Sequence, residues 1–232
     1  DRYFDDPGTQ VIRNYFGKNA ITYDLERAIN EDKLVEYFYY PKYLELESDE
    51  LQDYREYSAD IAICWAKIEK LKKQKKSFFT EEKKMFNLKL LRSRIIKDAR
   101  QKIPAFKELI DKDPKLKYTF VFCSGGQKND VKDILNIRLP KPISNSEITQ
   151  EFPKTTRERI RILQGLAEEK YQVVIGIKIL DEGIDVPEAN NCFILESTGN
   201  SKQFIQRRGR VLRKLRPNRY KDGTKKDYAT IN

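Results

Sequence analysis

Three side chains in the run Gln206-Arg207-Arg208-Gly209-Arg210-Val211-Leu212-Arg213 are of types suited to phosphate chemistry. On a helix, Gln206, Arg210 and Arg213 stand at i, i+4 and i+7 and share one face. Phosphoryl transfer spreads charge over the equatorial oxygens of its transition state. Planar, permanently charged guanidinium groups answer that charge better than lysine does. Gly209 is costly inside a helix and makes sense where something must come close to the backbone. Upstream lies Leu180-Asp181-Glu182-Gly183-Ile184-Asp185-Val186-Pro187. There Gly183 lets the backbone approach a ligand or take a positive φ, and Asp185 offers a carboxylate to a donor such as a ribose hydroxyl. Each run alone has a bland explanation: a plain turn for 180–187, and for 206–213 a basic helix end that binds nothing special or pairs with local acids.

Several elements must hold these residues. YQVVIGIKIL reads as a buried strand, so the run 180–187 leaves the carboxyl end of a parallel sheet, where α/β folds bind ligands. NCFILES reads as a further strand and SKQFIQRRGRVLRK as the helix that carries the arginines. Before them, KYTFVFCSGG is a short apolar run bounded by glycines, a strand entering a tight turn. DVKDILNIRL and TTRERIRILQGLAEEK have helical spacing. This rhythm predicts a parallel sheet flanked by helices. Nearer the start, DLERAIN predicts a short helix with Asp24 as N-cap. LVEYFYYPKYLELE predicts a strand that Pro41 confines to an edge or bends.

The middle of the chain differs. From Ser48 to Asp111 there is no glycine, and Pro104 is the only proline. Ile61, Trp65, Ile68 and Leu71, then Met85, Leu88, Leu91 and Ile95, recur at helical spacing, with Ser48 and Thr80 as N-caps. About three helices are expected, forming an antiparallel, mainly helical insertion. The chain has 46 Lys and Arg against 36 Asp and Glu, a net charge of +10. Between Trp65 and Ile103 stand 14 basic and 4 acidic residues, so this segment carries the whole excess (14 − 4 = 10). A concentrated basic surface fits a phosphate-backbone binder, with Lys72, Lys73, Lys75 and Lys76 as its densest part; a solvated helix face would show the same lysines.

Taken together, the two runs resemble motifs V and VI of superfamily 2 helicases and translocases, the latter in its Q-x-x-G-R-x-x-R form. TFVFCSGG resembles motif IV, and ITQEFPKTTRERIRILQGLAEEKYQVVIG resembles the stretch before motif V. AITYDLERAINEDKLVEYFYYPKYLEL resembles the start of the same lobe in DEAH-like DNA motors of restriction and repair systems. The resemblance implies a C-terminal RecA-like domain: residues 1–46 begin the lobe, 47–114 are a lineage-specific basic insertion, and 115–232 are its main body. It also implies roles. Gly183, Asp185 and Gly209 would contact the nucleotide, with Asp185 near the ribose. Gln206 would link the γ-phosphate to the motor's other lobe, and Arg210 and Arg213 would be arginine fingers. Ser124 and Thr149 would touch the nucleic-acid backbone, with Lys178 and Glu182 on the same edge. Ile177 stands where many members have a hydroxyl-bearing threonine.

The sequence contains no Gly-rich phosphate loop with its lysine and no DEAD- or DEAH-like tetrapeptide. ATP and Mg2+ would therefore need a first RecA-like lobe outside this chain, which alone would hydrolyse nothing. The first residue is not Met, which suggests a piece of something longer. The expected partners are nucleic acid, DNA for the branch resembled, and that first lobe. A non-hydrolysing scaffold with a helicase-like fold is the alternative, although it has no need of Asp185, Gln206, Arg210 and Arg213 together. No apolar run spans a membrane and no signal peptide opens the sequence. Cys64, Cys123 and Cys192 are far apart and no histidine accompanies them, so no metal site is expected and a reducing cytoplasm fits.

Overall fold

A computed structural model of the chain describes residues 11, 14–17, 25–113, 116–138, 141–149, 151–177, 187–196, 208–209, 211–214, 226 and 228–232. The elements are α1 (Leu25–Asn30), β1 (Glu36–Tyr39), α2 (Ser48–Lys73), α3 (Phe79–Lys97), α4 (Lys102–Lys112), β2 (Thr119–Phe122), α5 (Lys128–Ile137), β3 (Asn145–Ile148), α6 (Thr156–Ala167), β4 (Val173–Gly176), β5 (Asn191–Ile194) and β6 (Tyr228–Ile231). Packing divides the chain into one unit of Asp1–Lys42 and Leu109–Asn232 and a second of Tyr43–Glu108.

The first unit is built on a six-stranded sheet of order β1-β6-β5-β2-β4-β3. Every pairing in it is parallel. This is the α/β architecture, a parallel sheet flanked by helices, expected from the alternation of strands and helices, and it agrees with the RecA-like fold that the resemblance implies. Parallel sheets are covered on both faces, so their central strands must be apolar throughout. TFVF of β2 and VVIG of β4 are buried at every position. The edges read differently: β1 is mostly exposed, and β3 is only half-buried until Ile148. Phe120, Phe122, Ile148, Leu166, Val174, Cys192, Leu212 and Ile231 meet in the core.

Local chemistry fixes the helix starts. Thr155 and Glu158 form a reciprocal capping box at α6, with the Thr155 hydroxyl accepting from the Glu158 N–H. The same Glu158 carboxylate accepts from the Thr155 hydroxyl at 2.8 Å, and these bonds hold its pKa below the ordinary value. At the other end of α6, a Cβ on Gly165 would lie 3.0 Å from the Tyr171 ring, so a larger residue there would have to push that ring aside.

In the second unit α2 and α3 form a hairpin around Ile61, Cys64 and Leu88, with Tyr57 and Met85 packed against them. The helical spacing of the apolar residues is thus realised, but the starts differ slightly from expectation. The N-cap of α2 is Glu47, in a capping box with Glu50, rather than Ser48. Phe78 rather than Thr80 precedes α3. Arg100 gathers Glu47, Asp49 and Glu50 from the first turn of α2 and so closes the open end of the hairpin. The Arg100 side chain is exposed, so these pairs fix geometry more than they add stability.

Candidate functional site

Three strand ends stand abreast at the carboxyl edge of the sheet. β4 lies between β2 and β3, with Phe122 and Ile148 both in register with Gly176. One residue further on, the Ile177 N–H donates to Ile148 O at 3.0 Å and the Cys123 N–H to Gly176 O at 3.2 Å. Cys123, Ile177 and Thr149 therefore follow one another across the edge, and Ser124 comes one residue beyond Cys123. Strands two apart put Cys123 and Thr149 about 10 Å from each other.

Both hydroxyls also organise their own loops. The Ser124 Oγ accepts from the Gln127 N–H at 3.2 Å, while the Gln127 side-chain oxygen accepts from the Ser124 N–H. This reciprocal pair opens α5. The Thr149 hydroxyl accepts from the N–H groups of Phe152 at 2.9 Å and Glu151 at 3.2 Å. A hydroxyl has two acceptor positions and one proton, and these two bonds occupy the acceptor positions alone. Arg159, only 6% exposed, fastens this loop from below: it donates to Pro153 O at 2.8 Å and to Thr149 O at 3.1 Å. Nothing in the helical pattern TTRERIRILQGLAEEK marks Arg159 for this task.

Two acids line the same region. Glu196, 7% exposed, follows β5 with its N–H on Phe122 O, and Glu147 on β3 pairs with Lys132 at 2.7 Å. Burial first, then the negative charges of Glu196 and Glu147, push the Cys123 thiol up to about 12. Cys123 is therefore a buried apolar group without thiolate chemistry.

Of the residues expected at the nucleotide, Gly183, Asp185, Gln206 and Arg210 lie outside the described residues, as do Lys178 and Glu182, expected on the nucleic-acid edge. Gly209 and Arg213 lie within them. Among the described residues, no atom comes within 4 Å of a Cβ built on Gly209, so packing inside the chain does not demand a glycine there. Arg213 is exposed, and its backbone bridges Leu34, just before β1. The neighbouring Val35 N–H donates to Leu212 O at 2.9 Å, which ties the 211–213 segment to the first strand.

Two further groups were missed. The Arg208 guanidinium lies 5.8 Å from the ring centres of both Tyr37 and Tyr39 and donates to the Tyr37 hydroxyl at 3.3 Å. Lys226, just ahead of β6, is 8% exposed and donates its ammonium to the main-chain carbonyls of Pro187 and Val211. A lysine in the run Gly223-Thr224-Lys225-Lys226-Asp227 gives no hint of burial.

The four lysines of the basic cluster, Lys72, Lys73, Lys75 and Lys76, are all exposed at the tip of the α2–α3 hairpin, in the second unit. Lys75 takes a positive φ of 53° there, and Lys72 pairs with Glu69 at 3.3 Å. Among the described residues no cluster of His, Cys, Asp and Glu could hold a metal, and no helix is long and apolar enough to cross a membrane.

Comparison with known proteins points one way. The helicase conserved C-terminal domain matches residues 101–214, just under half of the chain. The DNA 3'-5' translocase XPB2 of Sulfurisphaera tokodaii is 36% identical over 77 residues, 33% of this chain and 17% of that protein. UvrABC system protein B of Metamycoplasma arthritidis is 44% identical over 61 residues, 24% of this chain and 9% of that protein. The chain thus spans less than a fifth of either relative. The C-terminal part of the Fun30 ATPase domain shares the fold, with a TM-score of 0.51 at 15% identity over 85% of each chain.

Proposed function

We propose, from the match of residues 101–214 to the helicase conserved C-terminal domain, that the chain is the second RecA-like lobe of an ATP-dependent superfamily 2 motor moving on DNA. ATP, held with Mg2+ largely by a preceding RecA-like lobe, supplies the phosphoanhydride whose hydrolysis drives the cycle. Arg210 and Arg213 complete that site by offsetting charge on the γ-phosphate, and Gln206 couples it to the other lobe. Asp185 accepts from the ribose, while Gly183 and Gly209 admit the ligand to the backbone. The exposed guanidinium of Arg213 and the open space at Gly209 fit such a ligand.

Nucleic acid runs along the carboxyl edge, where Ser124 and Thr149 touch its phosphates without reading sequence. Lys178 and Glu182 belong to the same edge, and the hairpin lysines add backbone contacts. The LDEGIDVP form of motif V supports the restriction and repair branch, and three cysteines outside any disulfide support a cytoplasmic setting. Closing the two lobes would complete the triphosphate pocket and shift the hydroxyls along the strand in one motion.

What supports this reading is the carboxyl edge of the sheet, where Thr149 follows β3 beside Ile177 and Ser124 follows β2 one residue beyond Cys123. The test is ATP hydrolysis by the intact polypeptide, with and without DNA or RNA, alongside Thr149→Val. DNA should stimulate turnover, and the variant should need more DNA for half-maximal stimulation. No turnover with any nucleic acid, despite binding, would leave a non-hydrolysing scaffold in its place.

A further inference from the structure

Lysine is almost never buried unless its charge is met. An alkyl side chain of similar volume would fill the space before β6 without the cost of desolvating an ammonium. The burial of Lys226 therefore needs a reason in what its donors hold. Its Nζ donates to Pro187 O at 2.9 Å and also to Val211 O. Pro187 ends the run that bears Gly183 and Asp185; Val211 directly follows Arg210 and stands two residues before Arg213.

We propose that Lys226 is a positioning residue that ties the motif V segment to the motif VI segment, so that Asp185 and Arg210 meet the same nucleotide in register. This rests on reading the chain as the motor's second lobe. Pro187 lies in the connection from β4 to β5 and Val211 in the connection from β5 to β6, and the Lys226 side chain, from the end of the latter, spans both. Carbonyl oxygens are the right acceptors, because they fix the main chain and leave the motif side chains to the ligand. Burial lowers the Lys226 pKa to about 7, opposed by the nearby charge of Glu188 and by Cys192. The amine still carries two N–H donors when neutral, enough for both carbonyls.

A double-mutant cycle on the intact polypeptide tests the assignment, with DNA-stimulated turnover measured well below the melting temperature and expressed per folded molecule. Lys226→Met should lower kcat/KM for ATP by about 10- to 100-fold, the scale of a misplaced catalytic group. DNA affinity should stay within about twofold, since the hydroxyls of the carboxyl edge are untouched. Combined with Arg210→Ala, it should cost little more than Arg210→Ala alone, because both act through one site. Independent, additive losses, or an unchanged kcat/KM in Lys226→Met, would overturn the proposal. Lys226→Gln, which keeps amide donors, gives the same cycle with a smaller loss should the methionine variant fail to fold.

Hydrogen exchange on the unmodified protein supplies a reading without substitutions. A non-hydrolysable ATP analogue should protect 187–188 and 208–214 together, and protection of one stretch alone would contradict the tie. If Arg210→Ala itself has no effect, it is the arginine-finger reading that fails.

Discussion

The Arg208 guanidinium donates to the hydroxyl of Tyr37 at 3.3 Å and lies 5.8 Å from that ring's centre. Tyr39 presents its ring at the same distance. Arg208 is one of four arginines between positions 207 and 213, and its partners belong to β1. It anchors the helix of the second run to the sheet, a task distinct from those proposed for Arg210 and Arg213. Cation–π contacts at partly exposed sites contribute about 0.5–2 kcal/mol. Arg208→Ala should therefore lower Tm by a few degrees in thermal melts, while Arg208→Lys recovers only part because its ammonium is not planar. Full stability with abolished ATP turnover would instead place Arg208 at the nucleotide.

The hairpin lysines make a prediction of a different kind. Replacing Lys72, Lys73, Lys75 and Lys76 with Gln removes charge from exposed positions, so the fold should be unaffected. If each contacts a phosphate, the slope of log binding constant against log salt becomes shallower by up to about 4, and affinity at low salt falls accordingly. Titration of fluorescent duplex DNA over a range of salt concentrations reads this slope. An unchanged slope identifies the cluster as a solvated helix tip.

Lys226 also makes stability depend on pH. Its folded-state pKa is depressed from 10.5 to about 7, chiefly by burial. Below about 7 both folded and unfolded chains hold the proton, and the group adds no slope. Between about 7 and 10.5 the unfolded chain binds a proton that the folded chain does not, so the contribution to stability rises with pH. The slope approaches ~1.4 kcal/mol per pH unit at most. Urea unfolding at pH 6 to 9.5 should show the wild type gaining on Lys226→Met above neutrality. Parallel curves would mean that Lys226 keeps an ordinary pKa.

The sequence made the central sheet legible because β2, β4 and β5 are continuous apolar runs that only burial on both faces explains. The hairpin was equally plain from Ile61, Ile68 and Leu88 at helical spacing. What escaped were strands without that signature. β3 is Asn-Ser-Glu-Ile at an edge, where polar side chains face water and Glu147 reaches Lys132. β6 follows a lysine-rich run and is defined by pairing with β1 and β5 rather than by composition.

The site was legible where a residue type carries chemistry in itself, as with Ser124, Thr149 and the arginines. Arg159 and Lys226 were opaque because their importance lies in main-chain carbonyls distant in sequence, which no local pattern encodes. Gly209 shows the converse. Its type was informative, and the space around it among the described residues is open rather than filled from within the chain.

The central claim is that guanidinium groups of this chain complete a triphosphate site whose other walls lie on a preceding lobe. Steady-state ATP hydrolysis by the intact polypeptide at saturating DNA, wild type against Arg210→Ala, tests it most directly. Loss of one such arginine should cut stimulated kcat by about 10³-fold or more, with DNA affinity largely retained. Equal turnover by the two proteins would contradict the account.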